Sequence, residues 1–371
     1  MNQNNERIFT PSNKLKAYSL KIGDIELVHD AIISMEFSYK NDSPIVMGKI
    51  LINDLYDMSQ LVDWKSVDVQ VLYVDMKSES TEKSFRITQI KEYEHSNYKK
   101  AFQLCVQDTF SYKLKHSFLS RGFNTSIIDA FQQYIDYLDL NDFDTDFSSM
   151  TDIETFTVPK SINNLDFFVN KFKMNGYYLY QNQDSICVKS LSDLAVNSLP
   201  ENDGIFTNET DNQYYKNRII ASRTHLNDRE RVIPKTRSLA FDVNSKKFLY
   251  DSNNDKSSLS LNDDIDDIQD DVGFRDVYQQ HLNFDEHNVM IRDSFLSQNG
   301  IELVVNGFKK NTLNQIYDVH LRGNVSTTET QIKGNIIMNG KYVSKRVNDK
   351  IIGDSFIQKI HLERADIQSN S

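Results

Sequence analysis

Two cysteines, one tryptophan, five prolines and twelve glycines are all that 371 residues contain of these types, and each shortage excludes something. Cys105 and Cys187 both lie in strand-like runs, AFQLCVQD and DSICVKS. Two such thiols read as buried residues of a reducing compartment, not as a disulfide framework or a metal pair. The few glycines fall at turns, and no GxSxG, Walker A or Rossmann pattern is present to carry a nucleophile or cradle a phosphate. No apolar run approaches the length that spans a bilayer. The first residues, MNQNNERIFTPSNK, lack the apolar core of a signal peptide. The chain is therefore expected to be made in a cytoplasm, to be soluble, to insert in no membrane and to lack a classical leader.

Basic charge is also short. There are 42 basic and 53 acidic residues, a formal net charge of −11. Clamping DNA phosphates needs clustered Lys and Arg, because counterion release supplies the affinity. Such a chain could still line a passage to which DNA must not stick. What is plentiful is aromatic surface, with 18 Tyr and 22 Phe. Aromatic side chains bury large areas, so sizeable cores can form in a chain whose mean hydropathy is only −0.54. The length exceeds one ordinary core and points to two or three domains.

Short strands dominate both ends. Near the start, Ser19–Ile22 and Ile25–His29 flank Gly23-Asp24, a hairpin turn, and Ala31–Tyr39, Val46–Asn53, Val67–Asp75, Ser84–Glu92 and Ala101–Gln107 follow. Leu55–Val62 has helical spacing. About six strands with one short helix suit a small barrel or sandwich. The character changes near Tyr112. Phe118–Phe123 reads as a loop, and Thr125 or Ser126 caps a helix with apolar Ile127, Ile128, Phe131, Ile135 and Leu138. After an acidic loop, Asp139–Asp152, Ser161 caps a second helix, Leu165–Met174, ended by Asn175-Gly176. Tyr177–Gln181 and Ser185–Lys189 form a hairpin.

Ser192–Thr210 reads as linker, Tyr214–Thr224 as a strand and Leu239–Tyr250 as one or two more. Asp251–Asp271 is a solvated acidic loop, and Phe284, Ile291 and Phe295 mark a helix. Ile301–Val305 and Ile316–Leu321 are strands. In the closing run, Asn339-Gly340 sits between Ile332–Met338 and Lys341–Val347, as a tight antiparallel turn requires. Phe356, Ile360 and Leu362 then alternate with Lys359, His361 and Glu363, a half-buried strand. No internal repeat is legible.

Candidate sites read as ordinary surface. Asp263–Asp271 pairs its acids with Ile between them and lacks the Gly of a calcium loop. His281, Asp285, Glu286 and His287 do not share one helix face. Arg218, Arg223, Arg229, Arg231 and Arg237 alternate with acids and aliphatics, as in a salt-bridged protein interface, and Tyr214-Tyr215 read as core or rim tyrosines. No catalytic, cofactor-binding or metal residue stands out, and no cofactor is expected.

The ending is specific in one respect. Gly340-Lys-Tyr-Val, then Val347, Ile351 and Phe356-Ile-Gln-Lys-Ile-His-Leu-Glu-Arg364, resembles the ending of the tail-hub family of phages and related injection machines. That family includes the T-even phage baseplate hub, late control D proteins and the N-terminal half of VgrG spikes. The front end agrees, through Ile52–Val62, Val67–Val74, Phe85-Arg-Ile-Thr-Gln-Ile90 and Ser111-Tyr112-Lys113-Leu114 leading into the Phe123–Leu138 helix. So does the middle, where Pro159 precedes Leu165–Met174 and Gly176-Tyr-Tyr opens a hairpin. The resemblance covers most of residues 17–365 as an order of elements and sparse motifs. It departs at Asn314-Gln315, where a small or Pro-Gly turn is usual, and at the acidic insertion Asp251–Asp271.

The resemblance implies an α+β, mainly β fold: two tail-tube-like β-barrel domains with an inserted helix-containing α+β module. The implied division is an N-terminal arm (1–16), a first barrel (17–112), the inserted module (113–213), a strand of the second barrel (214–237), an insertion with the acidic loop and a helix (238–299), the rest of the second barrel (300–365) and a tail (366–371). It further implies a non-enzymatic homotrimer in the virion tail baseplate, assembled in the host cytoplasm. Its six barrels would join a tail tube protein ring to a central spike protein, beside other baseplate proteins, with a channel whose acidic lumen lets DNA slide through by repulsion, without specific binding. No needle domain follows Arg364, so the spike is expected on a separate chain. A VgrG-like hub of a contractile injection or secretion system and a tail-associated cell-wall hydrolase are the competing readings.

Overall fold

The protein is described by a computed structural model over residues 14–55, 67–75, 78–94, 100–118, 120–140, 144–148, 150, 153–182, 185–190, 205–207, 219–226, 236–242, 247–253, 275–279, 299–306, 312–321 and 340–364. The fold is mainly β. A first strand set comprises β1 (Ala17–Ile22), β2 (Ile25–Leu27), β3 (Ile32–Lys40), β4 (Ser43–Asn53), β5 (Asp68–Val74), β6 (Ser80–Glu94) and β7 (Lys100–Asp108). The helical part holds α1 (Thr109–Lys115), β8 (Arg121–Thr125), α2 (Ile127–Tyr137), β9 (Asp144–Phe147), β10 (Glu154–Val158), α3 (Asn164–Met174), β11 (Tyr177–Asn182) and β12 (Ser185–Ser190). Then come β13 (Ile205–Thr207), β14 (Ile219–Leu226), β15 (Thr236–Asp242), β16 (Lys247–Asn253), β17 (Arg275–Gln279), β18 (Asn299–Asn306), β19 (Ile316–His320), β20 (Gly340–Ile352) and β21 (Ser355–Arg364).

Both ends of the chain enter one 13-stranded sheet, in the order β14-β18-β21-β20-β3-β4-β7-β6-β5-β1-β2, with β19 on β20 and β13 on β19. Period-two patterning places its core. Met35 and Phe37 of β3, Ile50 and Ile52 of β4, Leu104 and Val106 of β7, and Phe356, Ile360 and Leu362 of β21 are buried in one cluster. The sheet curls over itself. The Leu15 amide donates to the Asp354 carbonyl at 2.8 Å, bringing the start of the chain to the β20–β21 turn. Tyr73 of β5 meets Phe356 of β21 with ring centroids 5.6 Å apart.

The helical part has its own core. Phe131 of α2 lies 4.9 Å from Phe168 and 5.4 Å from Phe172 of α3, centroid to centroid. Around them gather Phe110, Leu114, Phe123, Ile127, Leu165, Ile186 and Val188. Ser126 caps α2, accepting from the Asp129 amide at 3.1 Å.

Local signals met tertiary ones in several places. Gly23 takes a φ of 58° between β1 and β2, and Gly176 takes 78° after α3, as their turns require. The cap of α3 is Asn163, not Ser161, and accepts from the Asp166 amide at 2.8 Å. Three expected loops contain strands, each made by a distant partner. Arg121–Thr125, expected as loop and helix start, pairs with β10. Asp144–Phe147 of the acidic loop runs parallel to β12. Ile205–Thr207 of the expected linker runs parallel to β19, and Phe206 lies 4.6 Å from the Tyr317 ring. α1 went unread because its seven residues carry too little periodicity. Most of Leu55–Val62, Ile332–Met338, most of the acidic segment up to Asp271, and the residues around His281 to Phe295 lie outside the described residues.

Candidate functional site

Eight consecutive strands of the sheet, β14-β18-β21-β20-β3-β4-β7-β6, form one continuous antiparallel surface drawn from both ends of the chain. Its seam is β20 against β3, from Arg346 opposite Lys40 to Ile352 opposite Ser34. One face covers the core. The other is solvent-facing and polar, and cross-strand register assigns its residues. Lys350, Glu36 and Lys49 lie in one row across β20, β3 and β4. Arg346, His361, Glu302 and Arg223 lie in another across β20, β21, β18 and β14.

The charge of this face is opposite to that of the chain. On β3, β4 and β6 it carries Lys40, Lys49 and Lys91 against Glu36. On β14, β18, β20 and β21 it carries Arg223, Arg346, Lys350 and Lys359 against Glu302 and Glu363. Period-two alternation allows a chain of net charge −11 to present basic residues on one side of a sheet and keep its acids elsewhere.

Buried polar groups pin the seam from beneath. Asp349 of β20 is fully buried. The hydroxyl of Tyr73, from β5, donates to its carboxylate, and Gln358 Nε2 of β21 donates at 2.8 Å. A buried carboxylate is tolerated only with such donors. Burial first, and the Asp349 charge second, hold the Tyr73 hydroxyl well above the usual tyrosine range, so it stays a donor.

At the upper end of the seam three parts of the chain meet. β20 bulges at Lys345, between Ser344 opposite Leu362 and Arg346 opposite His361. The Lys345 ammonium lies 3.4 Å from Glu363 and 5.4 Å from the centre of the Tyr178 ring of β11. The Lys345 carbonyl accepts from the Asn41 amide at 3.0 Å. Asn41 Nδ2 donates to Asn314 Oδ1 at 3.0 Å, and Ser344 Oγ donates to the Thr312 carbonyl at 2.8 Å. Asn314 has a φ of 56°, which asparagine tolerates where most residues do not. The departure at Asn314-Gln315 is thus a turn that builds this junction. A polar cleft of about 540 Å³ opens here, lined by Lys40, Asp42, Tyr178, Arg346 and Lys359 among others.

A second buried carboxylate joins the helical part to the sheet. Asp108 ends β7 and caps α1, accepting from the Ser111 amide at 2.8 Å and the Val46 amide at 2.9 Å. Burial pushes its carboxyl up, while these donors and Lys83 pull it down. The hydrogen-bond pattern orients the Gln181 amide of β11 to accept from Lys83 Nζ at 3.1 Å and to donate to Asp108 Oδ2 at 3.3 Å.

Of the residues singled out in the sequence, Arg223 lies exposed on β14 opposite Glu302. Arg218, Arg229, Arg231, Tyr214-Tyr215 and the His281–His287 group lie outside the described residues, and Arg237 lies in β15 after Thr236. Cys187 is buried, its thiol pushed up to about 11 by burial, whereas Cys105 is half-buried; both are free. Among the described residues no group of three or more His, Cys, Asp or Glu could hold a metal ion, and no helix is long and apolar enough to cross a membrane. Tyr73, Asp349, Asn41 and Lys345 were missed, because nothing local marks a polar residue whose partner is hundreds of positions away.

No protein-family model and no curated protein sequence matches the chain. Solved structures do. The tail protein from Neisseria meningitidis MC58 superposes with a TM-score of 0.63 at 9% identity, covering 94% of this chain and 97% of that one. The 43 kDa tail protein of prophage MuSo2 from Shewanella oneidensis gives 0.64 at 8%, covering 94% and 98%. The E. coli c3393 protein gives 0.55 at 10%, covering 94% and 77%; it is described as a type VI secretion component structurally similar to the T4 bacteriophage tail proteins gp27 and gp5. The chain has the β-rich fold of these phage tail and type VI secretion proteins.

Proposed function

We propose that the protein is a structural hub of a phage-type tail baseplate. Three copies form a ring that joins a sixfold tail tube to a threefold central spike, beside other baseplate proteins, and leave a channel for DNA. The observation that carries this reading is the eight-stranded sheet. Two strand sets of one chain stand side by side in it, joined edge to edge at β3–β20. A chain with two such sets converts three copies into six positions, as adaptation between threefold and sixfold neighbours demands. In this reading the first barrel is residues 17–112, the module 113–213 is inserted, and the second barrel is assembled from 214–237 and 300–365 around the insertion 238–299. The role is carried by interfaces, not catalysis, and the protein resides in the virion tail.

The solvent face of the shared sheet is the surface that would line the channel. Its excess of Lys and Arg stands where the resemblance implied an acidic lumen: passing phosphates would be held weakly and non-specifically, not repelled. The likeness to a type VI secretion component supports a second reading, a hub in a contractile injection or secretion machine that passes cargo other than DNA.

Light-scattering mass in solution tests the ring. A species of three times the 43.1 kDa chain mass is expected. A monomer that persists when tube and spike proteins are added overturns the reading.

A further inference from the structure

The two strand sets repeat one design, and among the described residues the repeat leaves one partner missing. β6 and β7 form a long hairpin that bulges between Ile87 and Gln89; β20 and β21 form another that bulges between Ser344 and Arg346. Before the bulge, β6 pairs with β5 and β20 pairs with β19. Next to the hairpins lie β4 and β18, and beyond them β3 and β14. Past the bulge the sets differ. β20 pairs with β3 there, whereas the corresponding edge of β6, from Gln89 to Glu94, meets no strand among the described residues. The outer edge of β14 likewise meets none. These are the two ends of the eight-stranded sheet.

Matching the bulges sets a residue correspondence. Thr88 matches Lys345, so Ile90 matches Val347 and Glu94 matches Ile351. Their partners Leu104 and Ile360 then match, as do Ile50 and Leu303, and through these Met35 and Ser222. Within one chain Ile351 stands opposite Met35, Asp349 opposite Phe37 and Val347 opposite Tyr39.

From this correspondence we infer that β6 of one copy pairs antiparallel with β14 of the next, in the register of the internal seam. Glu94 then stands opposite Ser222, Tyr93 opposite Arg223, Glu92 opposite Thr224, Lys91 opposite His225 and Ile90 opposite Leu226. The partner is a second copy, since only the chain's own β14 carries the counterpart of β3. The contact is heterologous, so repeating it either closes a ring or propagates. It places Lys91 and Arg223 on the same solvent face as Lys350 and Lys49. Pairing also satisfies edge amides and carbonyls that would otherwise invite uncontrolled association.

This inference rests on the ring reading, and disulfide trapping separates the two. In a Cys105→Ser background, Glu92→Cys with Thr224→Cys places two thiols directly across the inferred seam, within disulfide reach. Tyr93→Cys with Thr224→Cys is one residue out of register and points the thiols to opposite faces. The native mass of each preparation is measured before mild oxidation. The expected result is a trimer in which the first pair gives roughly tenfold more covalent oligomer than the second, with single-cysteine variants giving none. A trimer in which the first pair fails to cross-link, or the slipped pair cross-links better, overturns the seam and leaves the ring standing. A monomer overturns both. Wild-type mass measured alongside identifies a variant that assembles poorly because it misfolds; Ile90→Cys with Leu226→Cys then repeats the test two residues away, with the same outcomes required.

Discussion

Tyr73→Phe isolates the polar lock under the seam. The change removes one hydroxyl and leaves the ring, which packs 5.6 Å from Phe356 and 6.4 Å from Phe37. No cavity larger than an oxygen atom results. What is lost is a donor to a fully buried carboxylate, leaving Asp349 with the Gln358 amide. A hydrogen bond to a charged group contributes about 1.5–3 kcal/mol, and a stranded buried charge adds to its loss. The expected cost is about 2–3 kcal/mol. With a urea m-value of about 3 kcal/mol/M, the unfolding midpoint falls by about 0.7–1 M at unchanged m. In an Asp349→Asn background the acceptor is neutral, and the same substitution should cost only about 1 kcal/mol. That difference is the coupling a double-mutant cycle reads. The pH dependence carries a second signature. Tyr73 is held above its unfolded value, so the folded state retains its proton longer. The group adds no pH dependence below about pH 10, and stability falls as pH rises above that. Tyr73→Phe should remove this part of the alkaline loss. A Tyr73→Phe protein within about 0.5 kcal/mol of wild type, or one equally destabilised in both backgrounds, would refute the account.

Two further outcomes follow from packing and burial. A Cβ at Gly48 would lie 2.7 Å from atoms of both Phe37 and Val106. Gly48→Ala should therefore destabilise by about 1–3 kcal/mol in a thermal or urea melt, and unchanged stability would mean the β3–β4–β7 core is looser than described. Cys187 is buried with its thiol pushed up to about 11, while Cys105 is half-buried on the solvent-side row of β7. Alkylation of the folded protein near pH 7.5, read by peptide mass, should label Cys105 well before Cys187; equal rates would contradict the placement of β12.

Much of the secondary structure was legible, and the reasons are local. Alternation in Ile32–Lys40, Ser43–Asn53 and Ser355–Arg364 needs only a strand with one wet face. Ser126 and Gly176 act on residues within a turn of themselves. The ending that resembles tail hubs became β20 and β21, in a chain whose overall fold matches tail proteins that share no more than about a tenth of the sequence. β8, β9 and β13 were not legible, since each is a strand only because a distant segment lies beside it.

The amino-acid sequence by itself determined that this is a mainly β chain with a helical middle and aromatic cores. Those properties follow from period-two and helical patterning, turn residues and the abundance of Tyr and Phe. Only the tertiary structure decided that its two ends form one sheet, that β20 is shared between them, and that basic residues gather on one face of an acidic chain. Register is a relation between strands as much as a property of either: Lys350, Glu36 and Lys49 become neighbours through backbone pairing across more than 300 residues. The repeat behind the inferred seam is hidden for the same reason. β6 and β20 share a bulge and a set of partners, but core packing on a strand asks only for apolar residues of suitable size, so similar positions need not keep similar residues.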